Sequence, residues 1–207
     1  MAANAPALVD GRGYTIQQLF TGRTYRLEYF QRDYVWGRNQ VAKLLDDLAR
    51  RFFENWSETH ERPRVQQYEG YFLGPFVSYR VDAVSYLTDG QQRFTTLLVL
   101  LLYLRQLLVD QEDDRTAGVV DRLICSDMYG ELTFTVDVPE YAPCIEAMHQ
   151  GSSFDTDGQL PSVRQLWRCH TELPELFPHQ LRGEALPYFT DWLLTRVSLV
   201  RQPPVAS

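Results

Sequence analysis

The sequence predicts an α+β protein, and three observations carry that prediction. A hairpin pattern runs from Tyr71 to Leu87, a helix apolar on most faces follows from Gln91 to about Val109, and mostly helical patterns fill the remainder. At 207 residues with 44% hydrophobic and 13% aromatic content, the chain can bury one sizeable core, or one core with a helical annex.

In chain order, Thr15 is placed to cap a short helix ending near Phe20. Tyr25 to Tyr29 alternates apolar and polar residues as a half-buried strand does. A loop to Gly37 precedes a helix from about Asn39 to Phe53, whose Val41, Leu44, Leu45, Leu48 and Phe52 share one face. Glu54 to Gln67, with Pro63, reads as a surface loop. Within the hairpin, Gly74 and Pro75 mark an edge or a bulge.

Beyond Asp110, helices are expected at about 115–125, 141–149, 162–173 and 183–194. A short strand is expected at Leu132–Val136, another is possible at Arg196–Arg201, and residues 151–161 read as a loop. The chain thus divides into a front core, residues 1–110, and a helical subdomain, 111–207.

Composition narrows the function classes. The net charge of −7 argues against a nonspecific coat on nucleic acid, which needs clustered Lys and Arg. Charge is uneven, however: residues 1–40 hold Arg12, Arg23, Arg26, Arg32 and Arg38, while Asp110 to Asp114 is acidic. Cys125, Cys144 and Cys169 lack the close spacing of disulfide or zinc motifs, and the four histidines form no ligand motif. The expectation is reduced thiols in a cytoplasmic protein with no metal centre. Thr95, Thr96, Arg105 and Gln106 interrupt the most apolar stretch, so no membrane span is expected. Met1 to Val9 lacks the basic start of a signal peptide and reads as a loose terminus.

Two segments have the composition of a site. Asp89-Gly90-Gln91-Gln92-Arg93 sits between a strand and a helix start. Unpaired amides and a positive dipole end attract phosphate there, and glycine permits close approach. Arg93 supplies a fork for phosphate oxygens, Gln91 or Gln92 could orient water, and Asp89 could hold Mg²⁺ or accept a proton. The competing reading makes Asp89 a helix cap and Arg93 part of a solvated first turn. In the second segment, Tyr29, Phe30, Gln31, Arg32, Tyr34 and Trp36 interleave aromatics with an Arg and an amide, a pattern that can stack on bases while gripping phosphate. Here the competing reading pins the loop to the core through Tyr34 and Trp36.

Taken together, Phe30-Gln31-Arg32-x-Tyr34-x-Trp36-x-x-x-Gln40, then Tyr71-Phe72-Leu73-Gly74, then Asp89-Gly90-Gln91-Gln92-Arg93-x-Thr95-Thr96-Leu97 resemble the N-terminal domain of GmrSD-type restriction enzymes. Within that family the pattern is most similar to the SspE-like, phosphorothioate-sensing phage-defence effectors. The likeness covers roughly Tyr14 to Leu108, and Pro75 stands where family members usually carry a small residue. The resemblance implies a ParB/sulfiredoxin-like core that hydrolyses a nucleoside triphosphate, GTP expected, with Mg²⁺. Asp89, Gln91, Gln92 and Arg93 would be catalytic, while Gly90, Arg32 and Gln31 would bind nucleotide. It also implies contact with phosphorothioate DNA through Tyr29, Phe30, Gln31, Arg32, Tyr34 and Pro75. A C-terminal HNH-type nuclease domain would be the partner in a longer protein; that domain and the Phe/Asn/Arg-Gly motif preceding it would lie beyond Ser207. This fragment would not itself be a nuclease. One alternative is a ParB-like adaptor that binds nucleotide without turnover; a DNA nicking enzyme by analogy with ParB-like nucleases ranks last, since the sequence shows no clustered His or carboxylate metal set.

Overall fold

A six-stranded mixed sheet and the helices packed on it share one core in the computed structural model, which describes residues 13–27, 33–81, 84–128 and 131–202. The strands are β1 (Gly13–Thr15), β2 (Tyr25–Leu27), β3 (Tyr71–Val81), β4 (Val84–Asp89), β5 (Cys125–Met128), β6 (Glu131–Phe134), β7 (Val136–Asp137) and β8 (Val197–Gln202). The α-helices are α1 (Ile16–Phe20), α2 (Arg38–Phe53), α3 (Gln91–Asp110), α4 (Asp114–Ile124), α5 (Ala142–Gln150), α6 (Pro161–Leu176) and α7 (Ala185–Arg196). The α+β class is as expected.

Sheet order is β1-β8-β3-β4-β2-β7, with β5 and β6 forming a separate ribbon. β3 and β4 pair antiparallel as the hairpin pattern requires, and β4 runs parallel to β2. The other face of β3 is taken by β8, parallel, and β8 pairs antiparallel with β1. Gly74 and Pro75 therefore sit in a central strand. The register with β8 slips between Phe72 and Pro75, so the bulge reading holds and the edge reading does not.

The division expected near residue 110 is not a division of the core. β7 and β8, both from the back half, complete the front sheet, and one hydrophobic cluster runs from Ile16 to Leu199. At its centre lies α3. Every residue from Phe94 to Leu104 is buried, because the helix packs against α4, α5, α6 and α7 and against β7. By length and composition α3 alone, among the described helices, could cross a membrane, yet most of it is covered by the rest of this chain. Phe94 anchors its first turn among Phe20, Tyr25 and Phe76, with ring centroids 5.8, 4.9 and 5.2 Å away.

Local signals explain most boundaries. Thr15 caps α1 in a reciprocal box with Gln18. The stretch expected as a loose loop, 54–67, contains a 3-10 turn at Arg62–Gln67 with Pro63 in its first turn. Arg62 ties that turn down through a fork to Asp191 (2.5 and 3.0 Å) and a hydrogen bond to Thr116 (2.7 Å).

Candidate functional site

β4 ends at Asp89, the chain turns through Gly90, and α3 begins at Gln91. Gly90 has φ +86°, and a Cβ there would stand 2.9 Å from the Phe76 Cβ on the neighbouring strand. Both the left-handed turn and the close packing require glycine. Gly90, not Asp89, is the N-cap residue of α3, and it brings no capping side chain of its own. Asp89 instead accepts the Gly90 N–H at 2.7 Å and leaves its carboxylate exposed. The simple capping reading of Asp89 is thereby replaced. What results is a helix mouth with glycine at its N-cap, beside an open carboxylate.

Arg93 lies one turn into α3, and its Nη1 donates to the Pro75 carbonyl at 2.5 Å. Gly74 makes room for it: at φ +115°, a Cβ on that residue would meet Arg93 Nη1 at 3.0 Å. The β3 bulge thus exists beside a guanidinium that it accommodates and aims. Only one of five N–H donors is committed to Pro75 by that bond. An open cleft of about 280 Å³ is lined by Trp36, Thr88, Asp89, Gly90, Gln91, Gln92 and Arg93. Its described charges are one carboxylate and one guanidinium.

The two glutamines have other duties than the sequence suggested. Gln91 is buried, and its side-chain nitrogen donates to the Leu87 carbonyl at 2.8 Å, clamping the strand-to-helix turn. Gln92 holds the neighbouring loop: Oε1 accepts from Val35 N–H (2.9 Å) and Trp36 N–H (3.2 Å), while Nε2 donates to the Asp33 carbonyl (2.8 Å). Its amide is therefore occupied by backbone. The two sequence motifs form one hydrogen-bonded unit.

Tyr34 does not offer a ring to solvent. It is 2% exposed, its hydroxyl is bonded to Thr96 (2.8 Å) and Cys169 (3.3 Å), and its own N–H donates to Tyr141 (3.0 Å). Burial holds its phenol well above the ordinary range, so it stays neutral. The expectation of Tyr34 as a DNA platform is corrected to a loop anchor, because alternation around it turns Val35 outward instead. Val35 is 67% exposed, and Trp36, half-buried, reaches the cleft. Sequence reasoning missed Val35; a short aliphatic in an aromatic run gives no signal of its own. Pro75 is half-buried, with its carbonyl on Arg93. Tyr29, Phe30, Gln31 and Arg32 lie outside the described residues.

A second polar pocket, about 290 Å³, opens at the other end of β4, lined by Tyr14, Thr21, Gly22, Arg23, Thr24, Arg80, Ser85 and Arg201. Three guanidinium groups line it, and none of its described lining residues is acidic. Arg201 is fixed by two bonds to the Ser78 carbonyl (2.9 and 3.3 Å). The basic bias of the N-terminal forty residues resolves here into separate fates. Arg23 joins the pocket, Arg26 pairs with Asp137, Arg38 pairs with Glu175, and Arg12 and Arg32 are outside the described residues. Arg80 and Arg201 were not singled out in the sequence, since only β3 and β8 pairing brings them together.

Residues 16–171, about three quarters of the chain, match the family model of the GmrSD restriction endonuclease, N-terminal domain. The matched span holds the whole cleft and ends within α6. No curated protein matches the chain.

Proposed function

We propose nucleotide hydrolysis coupled to sensing of modified DNA as the role of this chain, which belongs to the GmrSD restriction endonuclease N-terminal domain family. Membership associates it with restriction systems and hence with DNA. The finer reading rests chiefly on one observation: α3 starts at a glycine N-cap that nothing larger can replace, with Arg93 aimed alongside. Amides at a helix start favour an anion, and a bidentate guanidinium adds charge and direction.

In this reading the phosphates of a nucleoside triphosphate, GTP expected, sit over the Gly90 turn. Arg93 neutralises charge that builds on them as the terminal bond breaks. Asp89 is exposed and holds only its neighbour's N–H among the bonds described, so its carboxylate suits Mg²⁺, which takes one or two carboxylates with phosphate oxygens. That ion would contribute charge neutralisation. Gln91 and Gln92 act as positioning residues: one sets the turn, the other ties the turn to the loop at 33–36.

That tie is the basis for sensing. A phosphorothioate differs from phosphate in a larger, less strongly hydrated atom, so discrimination needs apolar surface beside donors. Trp36, which lines the cleft with Arg93, and the exposed Val35 before it supply such surface, with Phe30 and Arg32 nearby in sequence. A shift of the loop on DNA would pass to the helix mouth through Gln92, and hydrolysis would then license a nuclease domain. The test is phosphate release from GTP and ATP with Mg²⁺, by the intact chain and by Arg93→Ala and Asp89→Asn. Turnover lost in both folded variants supports the reading, and wild-type turnover in Arg93→Ala ends it.

The adaptor alternative has one observation in its favour. Among the described lining residues Asp89 is the single candidate proton acceptor of carboxylate or imidazole type. Nucleotide binding by calorimetry without any phosphate release would establish that alternative.

A further inference from the structure

We propose that Asp121, Cys125 and His149 form a binding site for a single zinc-class divalent cation, distinct from the cleft at α3 and independent of nucleotide chemistry. Their ligand atoms, one each of carboxylate oxygen, thiol sulfur and imidazole nitrogen, all lie within 4.8 Å of one another. His149 Nε2 is 2.8 Å from Asp121 Oδ1 and 3.8 Å from Cys125 Sγ. Zinc bonds these atoms at about 2.0–2.3 Å, which sets tetrahedral neighbours roughly 3.3–3.7 Å apart. The His149–Cys125 separation is already close to that spacing, His149 and Asp121 would part by about half an ångström, and side-chain rotation would close the third pair on an ion.

Local structure explains why they meet. Asp121 occupies the last turn of α4, and Cys125, four residues on, is that helix's C-cap, so both project from the same side. His149 comes from the last turn of α5. Arg105 of α3 braces both helices, donating to Asp121 Oδ1 at 2.6 Å and to the His149 carbonyl at 3.3 Å. Ligating carboxylates are commonly held by such an outer donor. Burial pushes the Asp121 carboxyl up, but His149 and Arg105 outweigh it and hold the group below its usual range. It is thus anionic at neutral pH.

Charge and access both suit a dication. Carboxylate and thiolate offset its two charges, with Arg105 as the outer cation on the carboxylate, and metal binding itself deprotonates the thiol. The other two cysteines are unsuited: Cys144 and Cys169 are buried, with thiols pushed up by burial to about 12 and about 11. Cys125 is only half-buried and opens, with Asp121 and His149, on a pocket of about 710 Å³ that also reaches Gln17, Thr21 and Ser126. Three protein ligands facing an open pocket leave a fourth position for water or an exogenous ligand. Without metal, Asp121 pairs with Arg105 and is hydrogen-bonded to His149, with a thiol beside them.

The full chain, equilibrated with zinc and desalted, is assayed by elemental analysis, with Cys125→Ser and His149→Gln treated in parallel. The expected result is one zinc per wild-type chain and at least a tenfold loss in each variant. Cobalt substitution should give an intense thiolate-to-metal absorption in wild type that vanishes in Cys125→Ser. Melting in chelator checks that the variants fold. Zinc absent from the wild type, zinc retained equally by Cys125→Ser, or a wild-type cobalt spectrum lacking the thiolate band would each overturn the site. The last needs no variant at all.

Discussion

The two ends of β4 hold positive charge in different ways. At Asp89 it comes from backbone: a glycine turn, a helix start and one arginine fixed on a carbonyl, around a cleft of about 280 Å³. At Ser85, about 13 Å away along the strand, it comes from three guanidinium groups of separate segments, Arg23, Arg80 and Arg201. The first arrangement is set by backbone and would suit one compact anion in one orientation. The second gathers long side chains from three segments, of which Arg201 is held by Ser78, an arrangement that would suit a phosphate of an extended backbone. In a protein of net charge −7, these two pockets are candidate anion sites of different character among the described residues.

The largest effect should come from breaking the backbone-set end. Arg93→Ala leaves Gly74, Pro75 and the helix in place, and removes the one described cation of the cleft. Phosphate release should fall on the order of a hundredfold or more, with unfolding unchanged within about 1 kcal/mol. A fall in stability alone, with turnover per folded molecule intact, would reassign Arg93 to structure.

A second pair of substitutions separates anchor from contact in the adjoining loop. Tyr34→Ala should cost about 3–5 kcal/mol, since it empties a fully packed aromatic position and removes the hydroxyl's bonds to Thr96 and Cys169. Val35→Ser, on a residue 67% exposed, should alter stability by no more than about 0.5 kcal/mol. It should nonetheless narrow any preference for phosphorothioate duplex several-fold in competition titrations. A preference unchanged in Val35→Ser would move sulfur contact away from this residue.

Gln92→Ala addresses how the loop and the helix mouth communicate. Three hydrogen bonds to the backbone of residues 33–36 would be lost, about 1 kcal/mol each at most. The expected outcome is faster amide exchange at Val35 and Trp36, and nucleotide binding that no longer responds to DNA. Retained coupling between the two ligands would place communication elsewhere.

How far the sequence reveals this molecule depends on range. Local signals are legible: the Thr15 cap, the hairpin, the long buried helix and Gly90 at the turn all follow from neighbours within a few residues. Long-range pairing is not. Nothing in Val197–Gln202 says that it will enter between β1 and β3, which is why the supposed helical annex turns out to complete the sheet. Site residues follow the same rule. Arg93 is conspicuous as a charge opening an apolar helix. Gln92 looks chemically available, and only the fold shows its amide filled by a loop nearly sixty residues earlier. The Asp121, Cys125 and His149 cluster escaped motif reasoning because its ligands span a helix end and a second helix, at no recognised spacing.

The smallest effect, and the sharpest test of the comparison, lies at the arginine end. If this pocket holds one backbone phosphate, then Arg201→Gln should remove that contact without touching the cleft. Arg201 is the suitable choice because its two bonds to Ser78 fix it in β8, and because Gln keeps polarity and much of the length. Binding to duplex DNA should weaken by the same factor for modified and unmodified sequence, since the contact carries no information on sulfur. The dependence of log affinity on log salt should become shallower by about one. Nucleotide turnover without DNA should be unchanged, because the cleft's own groups remain in place at the other end of the strand. A variant that loses sulfur preference, or that slows turnover without DNA, would show that the two ends of β4 act as one site. An unchanged salt slope would remove the pocket from the DNA-contacting surface and leave the cleft as the protein's one candidate anion site among the described residues.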